Sequence, residues 1–249
     1  MTERIQNILA EQMAEARQGS DRIRLQGLKD LAKRVARANE RGWFSQNASS
    51  LQTELITPEL QTEWERDAQK LADFFAKLER KSEAEYMDSL PKPFAQPESY
   101  RGRFDIPLIV TVPTKDVPLA EMLKAGGISS YYDAGRTKDW EEDSYQTPDR
   151  PYFTWVSDGG LNLNKSVEDV RTSLIHDSRG GTLLDGIGVV IKNPDILKHH
   201  FLDLPGSQVG SGFAPFLDRW SERPRLYRHF VDRADPSFGS VVAGREIRT

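Results

Sequence analysis

The sequence of 249 residues contains no cysteine. Disulfide bonds, thiolate zinc sites, iron–sulfur clusters and a cysteine nucleophile are therefore excluded. An excess of charge of one sign is also lacking, because 34 Lys and Arg residues stand against 38 Asp and Glu residues, for a net charge of −4. The chain as a whole has no positive field that would hold a nucleic-acid backbone.

Long apolar runs are absent as well. No stretch approaches the ~18–20 apolar residues that a membrane span needs, and the first residues, Met1 to Gln6, are charged rather than typical of a secretory signal. From these features we expect a bacterial, cytoplasmic protein that does not associate with membranes.

Proline is scarce in the first part of the chain, where Pro58 is the only one before Pro91, and it then occurs three times between Pro91 and Pro97. Such a cluster cannot continue a helix or donate to a central strand. We therefore predict three parts, namely a helical docking or oligomerisation module over residues 1–90, a proline-rich linker over residues 91–103 and an α+β domain over residues 104–249.

The helical module is predicted from apolar residues at helical spacing, which indicate three helices in a bundle or hairpin. The first two cover about residues 5–19 and 21–42. The third begins at Thr57-Pro58-Glu59, where proline loses no needed donor and the acid complements the helix dipole. Its apolar seam consists of Trp64, Ala68, Leu71, Phe75 and Leu78. Another helix, from this bundle or from a partner, must cover that seam.

The aromatic side chains of this third helix occupy an arc that is too wide for three modest helices to cover fully. We therefore predict a helical interface that binds another protein or a second copy of the chain. Its residues are Trp64, Leu71, Phe74, Phe75 and Leu78.

In the second part, residues 106–112 and 152–156 are short β-branched or aromatic runs that predict buried strands. A short helix is expected over residues 118–125 and a long exposed loop over residues 128–150. The alternation in residues 161–164 predicts a further strand with one wet and one dry face.

Two capping boxes predict helix starts: Ser166 with Asp169, and Thr182 with Asp185. The second predicts a helix over residues 183–191, although its glycines and its Val-Val-Ile run would also suit a strand. Asn193-Pro194-Asp195 predicts another short helix. The apolar segments of the C-terminal fifth, separated by Gly and Pro turns, predict an antiparallel sheet. This order of elements is typical of an α+β fold.

Several short motifs occur in a fixed order between about Phe104 and Arg245. They are Pro151-Tyr152, Leu161-Asn-Leu-Asn164, Thr182-x-x-Asp185-Gly186, Pro194-x-x-Leu197, Pro224-Arg225-Leu226 and Phe238-Gly-Ser240. In this order they resemble one uncharacterised family of bacterial domains of unknown function. The resemblance implies one compact domain over this span and carries no activity, cofactor or catalytic residue.

Motifs for common chemistries are missing. The chain has no phosphate-binding glycine loop of the two common kinds, no G-x-S-x-G serine, no H-E-x-x-H and no EF-hand loop. Of its four histidines, His199 and His200 are adjacent and would point about 100° apart on a helix, which is a poor arrangement for one metal. We predict neither a metal site nor a cofactor.

A candidate catalytic stretch joins His176, Asp177 and Arg179 ahead of a glycine pair. An enzyme acting on a phosphorylated or anionic small molecule could use His176 as acid or base and Arg179 as anion clamp. We favour the structural interpretation, in which this stretch is a helix C-terminus.

Two more sets of residues could contact ligands. Asp158, Asn162 and Asn164 could line the rim of a pocket, although a hydrogen-bonded turn accounts for them better. The segment from Arg219 to Arg233 interleaves arginines with aromatic residues, as surfaces that bind RNA or single-stranded DNA do. Its candidate anion contacts are Arg225 and Arg228. Alternation along a strand divides these arginines between two faces, so we favour a solvated sheet edge.

The leading hypothesis is therefore a non-catalytic interaction or adaptor protein whose helical module binds a partner or itself. The enzyme based on His176 and Arg179 and the nucleic-acid surface between Arg219 and Arg233 remain the alternatives.

Overall fold

The computed structural model describes Ala32, residues 56–140 and residues 146–249. Apart from Ala32, the first two predicted helices lie outside these residues. The chain divides into two units, residues 1–59 and residues 60–249, and nearly all of the described residues belong to the second.

The described helices are α1 (Pro58–Phe75), α2 (Glu83–Asp88), α3 (Leu119–Ala125), α4 (Val167–Ser173) and α5 (Leu183–Lys192). The described strands are β1 (Ile106–Val110), β2 (Ser129–Ser130), β3 (Lys138–Asp139), β4 (Tyr152–Val156), β5 (Ser178–Gly180), β6 (Phe201–Asp203), β7 (Ser207–Gln208), β8 (Phe213–Trp220), β9 (Arg223–Phe230), β10 (Phe238–Ser240) and β11 (Val242–Gly244).

These strands form a four-stranded sheet in the order β1-β4-β11-β5, a five-stranded sheet in the order β10-β6-β8-β9-β2 and the pair β3-β7. Within the described residues, only the pairs β6–β10 and β2–β9 are parallel. The predicted α+β class with mainly antiparallel pairing is therefore confirmed for this part of the chain.

Helix α1 begins at Pro58, as its N-terminal pattern predicts, and buries its apolar seam in the second unit. The indole Nε1 of Trp64 donates a hydrogen bond to the Pro91 carbonyl oxygen at 2.8 Å. On the same helix, Glu63 and Asp67 form ion pairs with Lys192 at the end of α5. These contacts join α1 to the body that contains both large sheets.

The proline-rich segment predicted as a linker also packs into this body. Phe94 is buried, and its ring lies 5.3 Å from that of Phe153 on β4. Its carbonyl oxygen accepts a hydrogen bond from Trp155 Nε1 at 3.2 Å. The observed division after Glu59 therefore differs from the predicted boundary at Pro91, because the prolines interrupt helices without separating domains.

The predicted strands over residues 106–112 and 152–156 are confirmed as β1 and β4, and the edge position of β1 accommodates Pro107. The predicted exposed loop over residues 128–150 is corrected in its described part, which contains β2 and β3. Long-range pairing with β9 and β7 forms these two strands, and the local sequence gives no period for it.

The predicted strand over residues 161–164 is wrong. The chain reverses at Gly159, which has a φ of +89°, and then forms a 3₁₀ turn over Gly160–Asn162. Asn164 follows with a φ of +58°, a left-handed conformation that ends any extended run. This turn packs against β10 instead of joining a sheet.

Both predicted capping boxes form. Ser166 and Asp169 exchange hydrogen bonds at the start of α4, and Thr182 and Asp185 do so at the start of α5. The helix predicted over residues 183–191 is thus confirmed, and the Asn193-Pro194 pattern leads into a short 3₁₀ helix. Helix α5 lies in the core between the two large sheets. It contacts β1 of the four-stranded sheet and β8 of the five-stranded sheet, so it covers the buried face of the latter.

Candidate functional site

The five-stranded sheet has one face in the core and one face that is partly open. Leu202, Leu217 and Leu226 are register partners on neighbouring strands and are fully buried. Side chains alternate between the two faces of a strand. The residues that alternate with these leucines therefore share the opposite face, where aromatic and charged side chains lie together.

We call one part of this open face the aromatic–arginine patch. It consists of Tyr131, Asp218, Trp220, Arg225 and Tyr227. The β8–β9 register places Asp218 opposite Arg225. Pairing of β2 with β9 brings Tyr131 beside Tyr227, with ring centroids 6.1 Å apart. Residues from β8, from β9 and from the loop that follows β2 thus meet on one surface.

Arg225 is the centre of the patch. Its Nε donates to Asp218 Oδ1 at 2.8 Å, and its Nη2 donates to Asp218 Oδ2. These hydrogen bonds raise the pKa of Arg225 above its usual value. The guanidinium carbon lies 4.7 Å from the ring of Trp220 and 5.3 Å from that of Tyr131. Arg225 therefore holds the rings in place, while its charge is balanced by a nearly buried carboxylate.

The rings themselves remain in contact with solvent. Tyr131 is 60% exposed, Trp220 58% and Tyr227 42%. Within the part of the chain that the structure describes, their hydroxyl and indole N–H groups make no hydrogen bond. The patch combines exposed apolar surface with polar groups that are available to a ligand.

A buried polar cluster lies further along the same face. His229 Nε2 is 2.6 Å from Asp203 Oδ1 and its ring stacks on Phe238. Burial raises the pKa of the Asp203 carboxyl, and the hydrogen bond with His229 partly opposes this. Asp203 Oδ2 and the hydroxyl of its register partner Ser240 have no hydrogen-bond partner among the described residues. Both of these atoms are fully buried, whereas the His229 side chain is 18% exposed.

The two arginines predicted as anion contacts lie in different surroundings. Arg225 belongs to the patch, whereas Arg228 lies over the ring of Phe213 at 4.8 Å. Arg233 lies over Phe230 at the same distance, and Arg219 pairs with Glu222. The arginines of this segment do not form one continuous basic stripe.

Asp158, one of the predicted pocket residues, lines a cleft of about 630 Å³ together with His199 and His200. His200 Nε2 is 2.7 Å from the Asp158 carbonyl oxygen, and the Asp158 carboxylate accepts from Gly160 N. Asn162 is absent from the lining of this cleft, because its amide donates to the Ser240 carbonyl oxygen. The turn interpretation thus accounts for Asp158 and Asn162.

The three residues of the candidate catalytic stretch, His176, Asp177 and Arg179, lie in different surroundings and do not form one site. His176 is exposed, and Asp177 forms an ion pair with Arg103. The Arg179 side chain is fully buried and binds both carboxylate oxygens of Asp185. Arg179 therefore has no surface with which to hold an anionic substrate. The stretch also lies partly in β5 rather than wholly at a helix C-terminus.

The residues predicted as a helical interface are mostly buried within the chain. Trp64, Leu71 and Phe75 are at most 5% exposed, while Leu78 is half-buried and lies beyond the end of α1. Phe74 is 36% exposed. The covering surface comes from β1 and α5 of the same chain, so this seam is not available to a partner.

Among the described residues, no group of three or more His, Asp or Glu side chains could hold a metal ion. No helix in the described ranges combines the length and the apolar character required to cross a membrane.

Comparison of the chain with protein-family models, with curated proteins and with solved structures finds no match. This result is consistent with the resemblance to a family of unknown function.

Two residues of the patch, Tyr131 and Asp218, were not predicted from the sequence as site residues. Tyr131 lies in a segment without a dependable period, and Asp218 appears in the sequence only as one of several acids near the arginines. The sequence signal that could have found Asp218 is its place in a strand pair with Arg225. Recognising that pair requires the β8–β9 register, which depends on the turn at Ser221 and Glu222.

Proposed function

We propose that this protein is a non-catalytic interaction protein that binds another protein through the aromatic–arginine patch. The observation that carries the proposal is the position of three exposed rings around Arg225, whose charge is balanced by Asp218. The proposal keeps the adaptor role expected from the sequence and moves the binding surface from the N-terminal helices to the sheet.

The composition of the patch supports protein binding. Trp, Tyr and Arg are the residues that most often dominate the binding energy of protein interfaces. Aromatic side chains supply a large contact area at a low cost in conformational entropy, because only two χ angles become fixed on binding. Contacts with Arg225 restrain the rings before a partner arrives, which reduces the entropy lost on binding.

The other surfaces support the alternatives less well. The helical seam is covered by the chain itself, and Arg179 is paired in the interior. Between residues 219 and 233, Arg219 and Arg225 are paired with acids. Arg228 lies on the strand face opposite that of Arg225, so the remaining positive charge does not form one strip along which a nucleic-acid backbone could bind.

The proposal is tested by introducing a photo-crosslinking residue at Trp220 of the full chain in its native cells. A matched control carries the same residue at Ile175, which is 49% exposed and lies far along the chain from the patch. We expect a discrete protein adduct from position 220 and none of the same mass from position 175.

The partner identified in that adduct is then purified and titrated with the wild-type chain and with Tyr227→Ala. Loss of a central interface ring costs about 2 kcal/mol, so the Kd should rise about 30-fold. Equal affinity of both chains, or identical adducts from both positions, would contradict the proposal.

A further inference from the structure

The patch presents mainly hydrogen-bond donors. The indole N–H of Trp220 can only donate, and the two tyrosine hydroxyls can donate as well as accept. Asp218 occupies Nε and Nη2 of Arg225, which leaves Nη1 without a hydrogen bond to any residue that the structure describes. The segment that complements such a surface offers acceptors and few donors.

A proline-rich segment has this property. Proline has no backbone N–H, and the polyproline II conformation leaves its carbonyl oxygens exposed to solvent. The apolar proline rings pack against aromatic side chains, and the conformation is largely formed before binding.

The length of the patch also fits a polyproline II segment. The ring centroids of Trp220 and Tyr227 lie 4.7 Å and 5.6 Å from the guanidinium carbon of Arg225, so the two centroids are at most about 10 Å apart. Three residues of polyproline II, at about 3.1 Å each, span nearly the same length.

The charges near the patch indicate what flanks the prolines. Arg225 pairs with Asp218 and Arg219 with Glu222, whereas Arg223 is exposed and has no ion-pair partner among the described residues. The guanidinium of Arg223, beside Trp220, can pair with one or two carboxylates of a partner. A single such group does not match the many charges of a long polyanion.

From the donors, the length and the charges of the patch, and on the basis of the proposed function, we infer that the partner docks on the patch through a polyproline II segment flanked by acidic residues. The prolines lie over Trp220, Tyr131 and Tyr227, and the acidic end lies near Arg223.

The test titrates the full chain, by calorimetry, with a blocked oligoproline peptide that ends in aspartates. A glycine–serine peptide of the same length and ending controls for charge, and a single-stranded oligothymidylate controls for polyanion binding. We expect saturable binding of the oligoproline, at least tenfold weaker binding of the glycine–serine peptide and no tight binding of the oligothymidylate.

Variants locate the site. Trp220→Ala and Tyr227→Ala should each weaken oligoproline binding about tenfold. The matched control is Phe230→Ala, because Phe230 is 44% exposed on the same strand as Tyr227 but its ring contacts Phe213, outside the patch. Its affinity should stay within about twofold of wild type. Unchanged thermal unfolding midpoints will show that the exposed substitutions leave the fold intact.

The inference is overturned if the oligoproline does not bind, if the glycine–serine peptide binds equally well, or if the patch variants bind like wild type. Tight, steeply salt-dependent binding of oligothymidylate would identify a nucleic-acid surface instead. A specific adduct from position 220 without oligoproline binding would retain the proposed function and refute only the polyproline segment.

Discussion

At the residue scale, two buried aspartates show how surroundings decide the charge of a carboxyl. Burial alone would raise the pKa of Asp185, but the charge of Arg179 and hydrogen bonds from Arg179, Thr182 and Tyr152 hold it below its usual value. Burial raises the pKa of Asp203, and His229 opposes this effect only in part. The first carboxylate therefore stabilises the fold in its charged form.

We expect Asp185→Asn to lower the free energy of unfolding by about 3–5 kcal/mol near neutral pH, because the charge of Arg179 would remain buried without its partner. The lowered pKa of Asp185 gives stability that is present above the unfolded pKa and is lost as the pH falls through the folded value. The difference between variant and wild type should therefore narrow below about pH 4. Urea unfolding of both proteins at neutral and acidic pH measures this difference in the free energy of unfolding.

Asp195→Asn is the matched control, because Asp195 forms an exposed ion pair with Lys198. No measurable change in its unfolding midpoint is expected. Wild-type stability of Asp185→Asn at neutral pH would refute the structural role of the buried pair.

At the element scale, α5 shows how local signals and packing act together. Its capping box sets the start of the helix, and two glycines let neighbouring elements come close. A Cβ atom added at Gly186 would lie 2.5 Å from Leu204 Cδ2, whereas one added at Gly188 would lie 3.4 Å from the Leu108 methyl groups. The same residue type thus has different roles two positions apart.

These distances predict opposite effects in one helix. Gly188→Ala should raise the free energy of unfolding by about 0.5–1 kcal/mol, because alanine loses less conformational entropy than glycine and the contact is of ordinary length. Gly186→Ala should lower it by about 1–3 kcal/mol through overpacking against Leu204. Urea unfolding of both variants measures the pair, and effects of the same sign would contradict the packing described here.

At the scale of the whole molecule, helix α1 and the proline-rich segment belong to the body that carries the patch. Leu71 of α1 and Leu108 and Ile109 of β1 line the same small gap beside α5. The indole N–H of Trp64 donates a hydrogen bond to the carbonyl oxygen of Pro91. The helix predicted as an interface therefore stabilises the fold instead.

Trp64→Ala should lower the free energy of unfolding by about 3–5 kcal/mol, because it leaves a cavity and an unpaired carbonyl at Pro91. Phe74→Ala on the same helix should cost less than about 1 kcal/mol, because its ring is partly exposed. Chemical denaturation of both variants checks this. If α1 were a separate arm, both substitutions would leave the stability of the body unchanged.

The sequence predicted those parts of the fold whose signals are local. The capping box of Thr182 and Asp185 correctly predicted a helix despite the strand-like Val-Val-Ile run. Such a cap pairs backbone N–H groups at the helix start within a span of four residues. Alternation also separated Arg228 from the face of Tyr227. The same rule failed at residues 161–164, where a positive φ at Gly159 and packing against β10 override the apparent period.

By itself, then, the sequence determined the α+β class, the starts of α1, α4 and α5 and the exclusion of cysteine chemistry, because each depends on composition or on neighbours a few residues apart. Only the tertiary structure decided that the seam of α1 is covered and that Tyr131 meets Tyr227 beside Arg225. Those outcomes depend on strand register and on competition for buried surface between segments far apart in the chain, which no local pattern encodes.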